Sequence, residues 1–174
     1  MLSKAGFGVQ VNGTFGPTTR KQLEAFQQSA GIERNGKLGP ATLKALEASQ
    51  NGASALGRKL ASIARSIAQS RNTVGHCYEG VAQAIDRIVP PFLSGGHAYM
   101  AAPQLAAHPR FKEIPALKNM NSLPEGAVVV WGKGSSRSGH ISIAIGKGQE
   151  ASDHIAPQMQ SHYGGARARV FLPQ

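Results

Sequence analysis

The chain has a single cysteine, Cys77, among its 174 residues. That scarcity excludes an internal disulfide framework and any zinc site built on several thiolates. Aromatic residues make up only 6%, and the basic residues are scattered with no dense stripe, which argues against a nucleic-acid partner. Long apolar runs are missing too. The longest strand-like one, AVVVW, is far too short to cross a bilayer, so no membrane insertion is expected. The opening MLSKAGFGVQ lacks the apolar core of a secretory signal. Synthesis in the cytoplasm without a signal peptide is therefore the expectation, with delivery elsewhere left to another agency. Acidic residues are also few, nine against nineteen Lys and Arg. The resulting charge of +10, split as +3 over residues 1–50 and +7 over the rest, points to an anionic partner. With 41% hydrophobic and 16% charged residues, the chain can bury a core as one moderate domain or two small ones.

What is present first is a repeat. NGTFGPTTRKQLEA begins at Asn12, and NGKLGPATLKALEA begins at Asn35, 23 residues later. Asn-Gly signals a tight turn, and Pro17 and Pro40 fit the first helical position, where a missing N–H costs nothing. Thr19, Leu23 and Phe26 then recur at helical spacing, as do Leu43 and Leu46. Each unit reads as a turn plus a short amphipathic helix, and two together can close a small core. With the Phe26-Gln27 pair, Leu38 and Thr42, this pattern over residues 1–48 resembles the peptidoglycan-binding domain 1 family, a small helical module of cell-wall hydrolases. One departure is visible: only MLSKAGF precedes the first turn, where the family has a helix.

SQNGASALG then reads as a linker, placed at 49–55, with a second domain over 56–174. That domain opens on a helix whose Leu56, Leu60, Ile63 and Ile67 form one apolar stripe, opposite a cationic face of Arg58, Lys59 and Arg65 read as solvated.

Cys77 sits in NTVGHCYEGVAQAID, where Cys77, Val81, Ala84, Ile85 and Ile88 share one helical face. Asn72 or Thr73 is the expected cap, and Gly75 permits close backbone approach. A free cysteine is often a core residue, but one in the first turn of a helix meets the positive end of the dipole, which favours thiolate. Downstream, LPEGAVVVWG reads as a turn and strand, and SGHISIAIGKGQEASDHI as a hairpin turning at GKG. Alternation puts His140 opposite Ile141, Ile143 and Ile145, and the return strand is expected to carry Glu150, Ser152, Asp153 and His154. A thiolate nucleophile needs an imidazole within reach, and the imidazole needs a third polar group to fix its tautomer.

Cys77-Tyr78-Glu79-Gly80-Val81, Pro124-Glu125-Gly126-Ala127-Val128-Val129 and Gly139-His140-Ile141-Ser142-Ile143-Ala144, in that order, resemble the papain-like cell-wall hydrolases. These include NlpC-type peptidases, CHAP-type amidases and the amidase effectors of type VI secretion. The resemblance implies an α+β fold: a small helical wall-binding domain, then a papain-like domain with N-terminal helices packed on an antiparallel sheet. It implies Cys77 as nucleophile and His140 as base. Asp153 is the first choice for the orienting group, His154 its rival, with Ser152 and Glu150 left open. A zinc amidase using Cys77, His140 and His154 is a chemically allowed rival. His76, next to Cys77, is read as either lining the cleft or solvent-exposed as loop histidines commonly are, His97, His108 and His162 show no partner, and Trp131 and Tyr99 read as core or rim aromatics. Both halves together imply a cofactor-free hydrolase of peptidoglycan amide bonds, acting in the periplasm or wall of a target bacterium. A phage endolysin and a type VI effector with an immunity partner both fit. A non-catalytic wall-binding protein is the third possibility.

Overall fold

The computed structural model describes residues 15–51, 53–161 and 165–174. The first repeat's turn at Asn12–Gly13 and His162 lie outside them. The chain is α+β. Two helices, α1 (Pro17–Ser29) and α2 (Pro40–Asn51), form the N-terminal part. Both begin on the proline of their repeat. Leu23, Phe26 and Leu46 are buried between them. The side chain of Gln27, fully buried, joins the two units. Its Nε2 donates toward the Lys37 carbonyl at 2.8 Å and Thr42 Oγ1 at 3.0 Å, while its Oε1 accepts from the N–H groups of Asn35 and Gly36. α2 runs into the segment expected as a linker, and Ser54 already caps the next helix.

The rest is built on α3 (Ala55–Arg71), α4 (Cys77–Ile85), a short 3-10 turn Ala98–Met100, α5 (Ala101–Ala107) and strands β1 (Phe111–Ile114), β2 (Val128–Trp131), β3 (His140–Ala144), β4 (Gln149–Ala151), β5 (Ile155–Pro157) and β6 (Ala168–Pro173). The sheet is antiparallel throughout, ordered β1-β6-β2-β3-β4-β5. β2 is central and buried on both faces, which is why its sequence is a continuous apolar run. Val128, Val130, Ile141, Ile143 and Ile145 meet α3, α4 and α5 on one face. Val129, Trp131, Ala144 and Val170 pack with Met120 and Leu123 on the other.

Two expectations shift. The buried face of α3 is Gly57, Leu60, Ala61, Ala64 and Ala68, with Ile63 and Ile67 at its margin. Small residues allow the helix to approach the sheet closely, and the larger isoleucines are displaced to the edge. Arg65 is no bystander on a solvated face, since its guanidinium donates to the Ile145 carbonyl at 2.6 Å.

Candidate active site

α4 starts at Cys77 itself, and Val81, Ala84 and Ile85 bury the face below it. His140 is the first residue of β3, held there by Gly139, whose φ of +68° and position against the Trp131 carbonyl leave no room for a side chain. The helix start and the strand start meet: the Cys77 side chain lies close enough to the His140 imidazole to help raise its pKa. The ring's Nε2 is engaged by Glu150 Oε1 at 2.9 Å.

Glu150 is 3% exposed and held from several sides. Its Oε2 accepts from Ser142 Oγ (2.9 Å), Gln158 Nε2 (2.8 Å) and the Met159 N–H (3.1 Å). An ionised carboxylate is an acceptor only, and here both oxygens are supplied with donors. The electrostatics of His140 follow. Burial pulls its pKa down, but the contacts with Cys77 and Glu150 and their negative charges outweigh it, and the pKa stands raised to about 9. At neutral pH the ring is an imidazolium. This row of thiol, imidazole and buried carboxylate is the arrangement used to generate a nucleophile and to protonate a leaving group.

Known proteins show related features. Residues 1–46 match the family described as a putative peptidoglycan binding domain. The fold is similar to a chain of the type VI native effector–immunity complex Tae3-Tai3 from Ralstonia pickettii, at 23% identity and a TM-score of 0.50, covering 68% of this chain and 98% of that one. The selenomethionine form of that complex aligns at 24% identity and a TM-score of 0.46, over 62% of this chain and 97% of that one. Curated proteins give no significant match.

The structure brings Cys77 and His140 together and keeps Asp153 apart from them. Asp153 was expected on the strand beside His140, but β4 ends at Ala151 and Asp153 lies in the turn that follows. Its carboxylate accepts the His76 N–H and contacts His154 and Ser152 instead. The expected cap from Asn72 or Thr73 is also replaced. Asn72 closes α3 in the left-handed region, and the acceptor at the start of α4 is Asp153. Ser152 donates to Asp153.

Strand parity was the signal that sequence reasoning left unused. A hairpin turning at Gly146–Gly148 pairs Ala144 with Glu150, which puts Glu150 on the face of Ser142 and His140. Asp153, at odd separation, falls on the isoleucine face by the same rule. Gln158 and Ser142 were missed as the groups that hold Glu150, and no local motif marks them.

The other histidines separate clearly. His76 is exposed beside Glu79, which also pairs with Arg71. His97 hydrogen-bonds Ser138 Oγ at 3.0 Å and stacks on Tyr99. His108 stacks on Phe92 at 4.1 Å as packing. Trp131 is core, at 4% exposure. His154, a proposed zinc ligand with Cys77 and His140, sits on Asp153. Among the described residues no three His, Cys, Asp or Glu side chains gather as a metal-binding group.

Proposed function

We propose that the chain is a thiol amide hydrolase of bacterial peptidoglycan, with Cys77 as nucleophile, His140 as acid and base, and Glu150 as the orienting carboxylate. The observation that carries this is the row in which Cys77 lies beside His140 and His140 hydrogen-bonds a carboxylate fixed by three further donors. The Cys77 thiolate attacks the carbonyl carbon of a stem-peptide amide. The tetrahedral oxyanion is met by backbone N–H groups at the α4 start, Cys77's own among them. His140 then gives its proton to the leaving amine, and a thioester remains on Cys77. Water attacks that thioester, His140 takes the water's proton, and the acid product departs as the Cys77 thiolate and the imidazolium are restored. Glu150 keeps Nε2 protonated and the ring turned toward the thiol throughout.

Residues 1–48 form the wall-binding module in this reading, and residues 56–174 the papain-like catalytic domain. The family match over residues 1–46 supports the first assignment. Tethering raises the local concentration of wall peptides without altering the site. The fold's likeness to a type VI effector bound to its immunity protein supports a setting in which this chain acts on another bacterium's wall and is neutralised by a partner. The excess of basic residues suits the anionic envelope.

The test is digestion of purified sacculi, with mass spectrometry of the released muropeptides, by the parent and by Cys77→Ala. The parent is expected to release products with one new amine and one new carboxyl terminus, and the variant none. A variant that digests as well as the parent removes Cys77 from the mechanism, and a parent that binds sacculi without releasing fragments makes the chain a binding protein.

A further inference from the structure

The mechanism above uses Cys77, His140 and Glu150 and leaves unused one buried carboxylate, on the connection that leads into α4. Asp153 is 1% exposed. The His76 N–H donates to its Oδ2 at 2.7 Å, and Oδ1 receives Ser152 Oγ at 3.1 Å and His154 Nδ1 at 3.0 Å. Its backbone takes part as well, since the Thr73 N–H donates to the Asp153 carbonyl at 3.1 Å. One residue therefore holds both ends of the connection between α3 and α4, and that connection delivers Cys77. No side chain within the connection caps α4. A second anchor lies one turn along, where Gly80 packs so tightly on Ser152 that a Cβ would stand 2.3 Å from its carbonyl oxygen. Burial raises the Asp153 pKa, but its hydrogen bonds to His76, His154 and Ser152 lower it further, so the group accepts as a carboxylate at neutral pH.

We infer that Asp153 is a positioning residue acting as a hydrogen-bond acceptor, clamping the segment that carries Cys77 so that the thiol meets His140. This rests on the Cys77–His140 reading. It differs from an electrostatic role because an amide oxygen accepts an N–H about as well as a carboxylate does at a helix start. The Ser152 hydroxyl and the His154 ring can each reverse donor and acceptor roles toward an amide. Asp153→Asn should therefore keep kcat within about threefold of the parent, while Asp153→Ala, which frees the connection, should lose about a hundredfold in kcat with KM little changed, as displacing a reacting group by an ångström does.

The experiment uses the full chain, with parent, Asp153→Asn, Asp153→Ala and Cys77→Ala assayed on soluble muropeptides. Amide hydrogen exchange at His76 is followed by NMR, with β2 and β3 as the reference for global folding. Support is an Asn variant that is active with His76 protected, and an Ala variant that is slow with His76 unprotected while the strands stay protected. If the Ala variant unfolds altogether, the Asn variant carries the test by itself. An Asn variant that is inactive while His76 stays protected overturns the inference, because charge is then what matters. So does full activity in either variant with the protection gone. An active Cys77→Ala variant would instead defeat the mechanism, and the exchange at His76 reports on the clamp independently of it.

Discussion

At His140 burial and charge act in opposite directions, and the balance sets the working range of the site. A buried imidazole on its own loses its proton readily, but the thiol on one side and the Glu150 carboxylate on the other retain it up to about pH 9. Because the folded pKa is raised above the ordinary 6.5, this residue's contribution to stability is complete below pH 6.5 and is lost as the pH climbs through 9. Activity that depends on the imidazolium should share that alkaline limb. Glu150→Gln removes the negative charge while keeping the shape. Its kcat should fall by about three to four orders of magnitude, as when a triad carboxylate becomes an amide, and its alkaline limb should move to lower pH. Stopped assays from pH 5 to 10 check both. A Gln variant whose limb stays near 9 would deny Glu150 its effect on the ring.

Among the elements, α4 is where small changes in backbone position carry the largest consequence, because the helix start is also the nucleophile's position. Gly80 sets how closely α4 lies on the turn after β4, with backbone rather than a flexible side chain on the opposing surface. Gly80→Ala must push the helix away, at a cost of about 1–3 kcal/mol for overpacking. A lower melting temperature and a loss of wall digestion larger than the stability change explains are the expected outcome, from calorimetry and sacculus clearing together. An active variant with an unshifted melting temperature would show that the contact is slack. The α3 face makes the same point, since Gly57 lies against the Glu125 and Gly126 backbone and admits no larger residue without displacement.

For the whole molecule, the question is how far the helical pair and the sheet body act separately. α1 and α2 have their own small core and their own polar hub in Gln27. Ser54 belongs to the sheet body, since it caps α3 through Gly57 and donates to the Pro173 carbonyl on β6 at 2.7 Å. Removing residues 1–52 should therefore weaken sacculus binding and slow digestion of intact wall, while soluble muropeptides are still cleaved. Equal loss on both substrates would make the pair part of the catalytic fold. Gln27→Ala should mimic the truncation in the full chain. It leaves the half-buried Asn35 N–H and the buried Gly36 N–H without their acceptor, at about 1–3 kcal/mol for the buried group. Cosedimentation with sacculi measures the effect.

The sequence by itself determined the local elements and the two ends of the reactive pair. Pro17 and Pro40 mark helix starts, the AVVVW run marks a strand buried on both faces, and Cys77 and His140 stand at the first positions of α4 and β3. These are properties of residues and their near neighbours: fixed φ at proline, hydrophobic period, and a glycine before each turn. The partner of His140 was decided by tertiary structure. Glu150 and Asp153 are three residues apart in one polar stretch, EASD, and by composition they are equivalent carboxylates. Strand register put Glu150 on the histidine's face, and the early end of β4 turned Asp153 toward the connection before α4. Gln158 and Met159 reach Glu150 only because β5 folds back beside β4. Which of two like groups orients the imidazole and which holds the backbone depends on pairing between strands, and pairing is a contact between distant residues that no short stretch of chain contains.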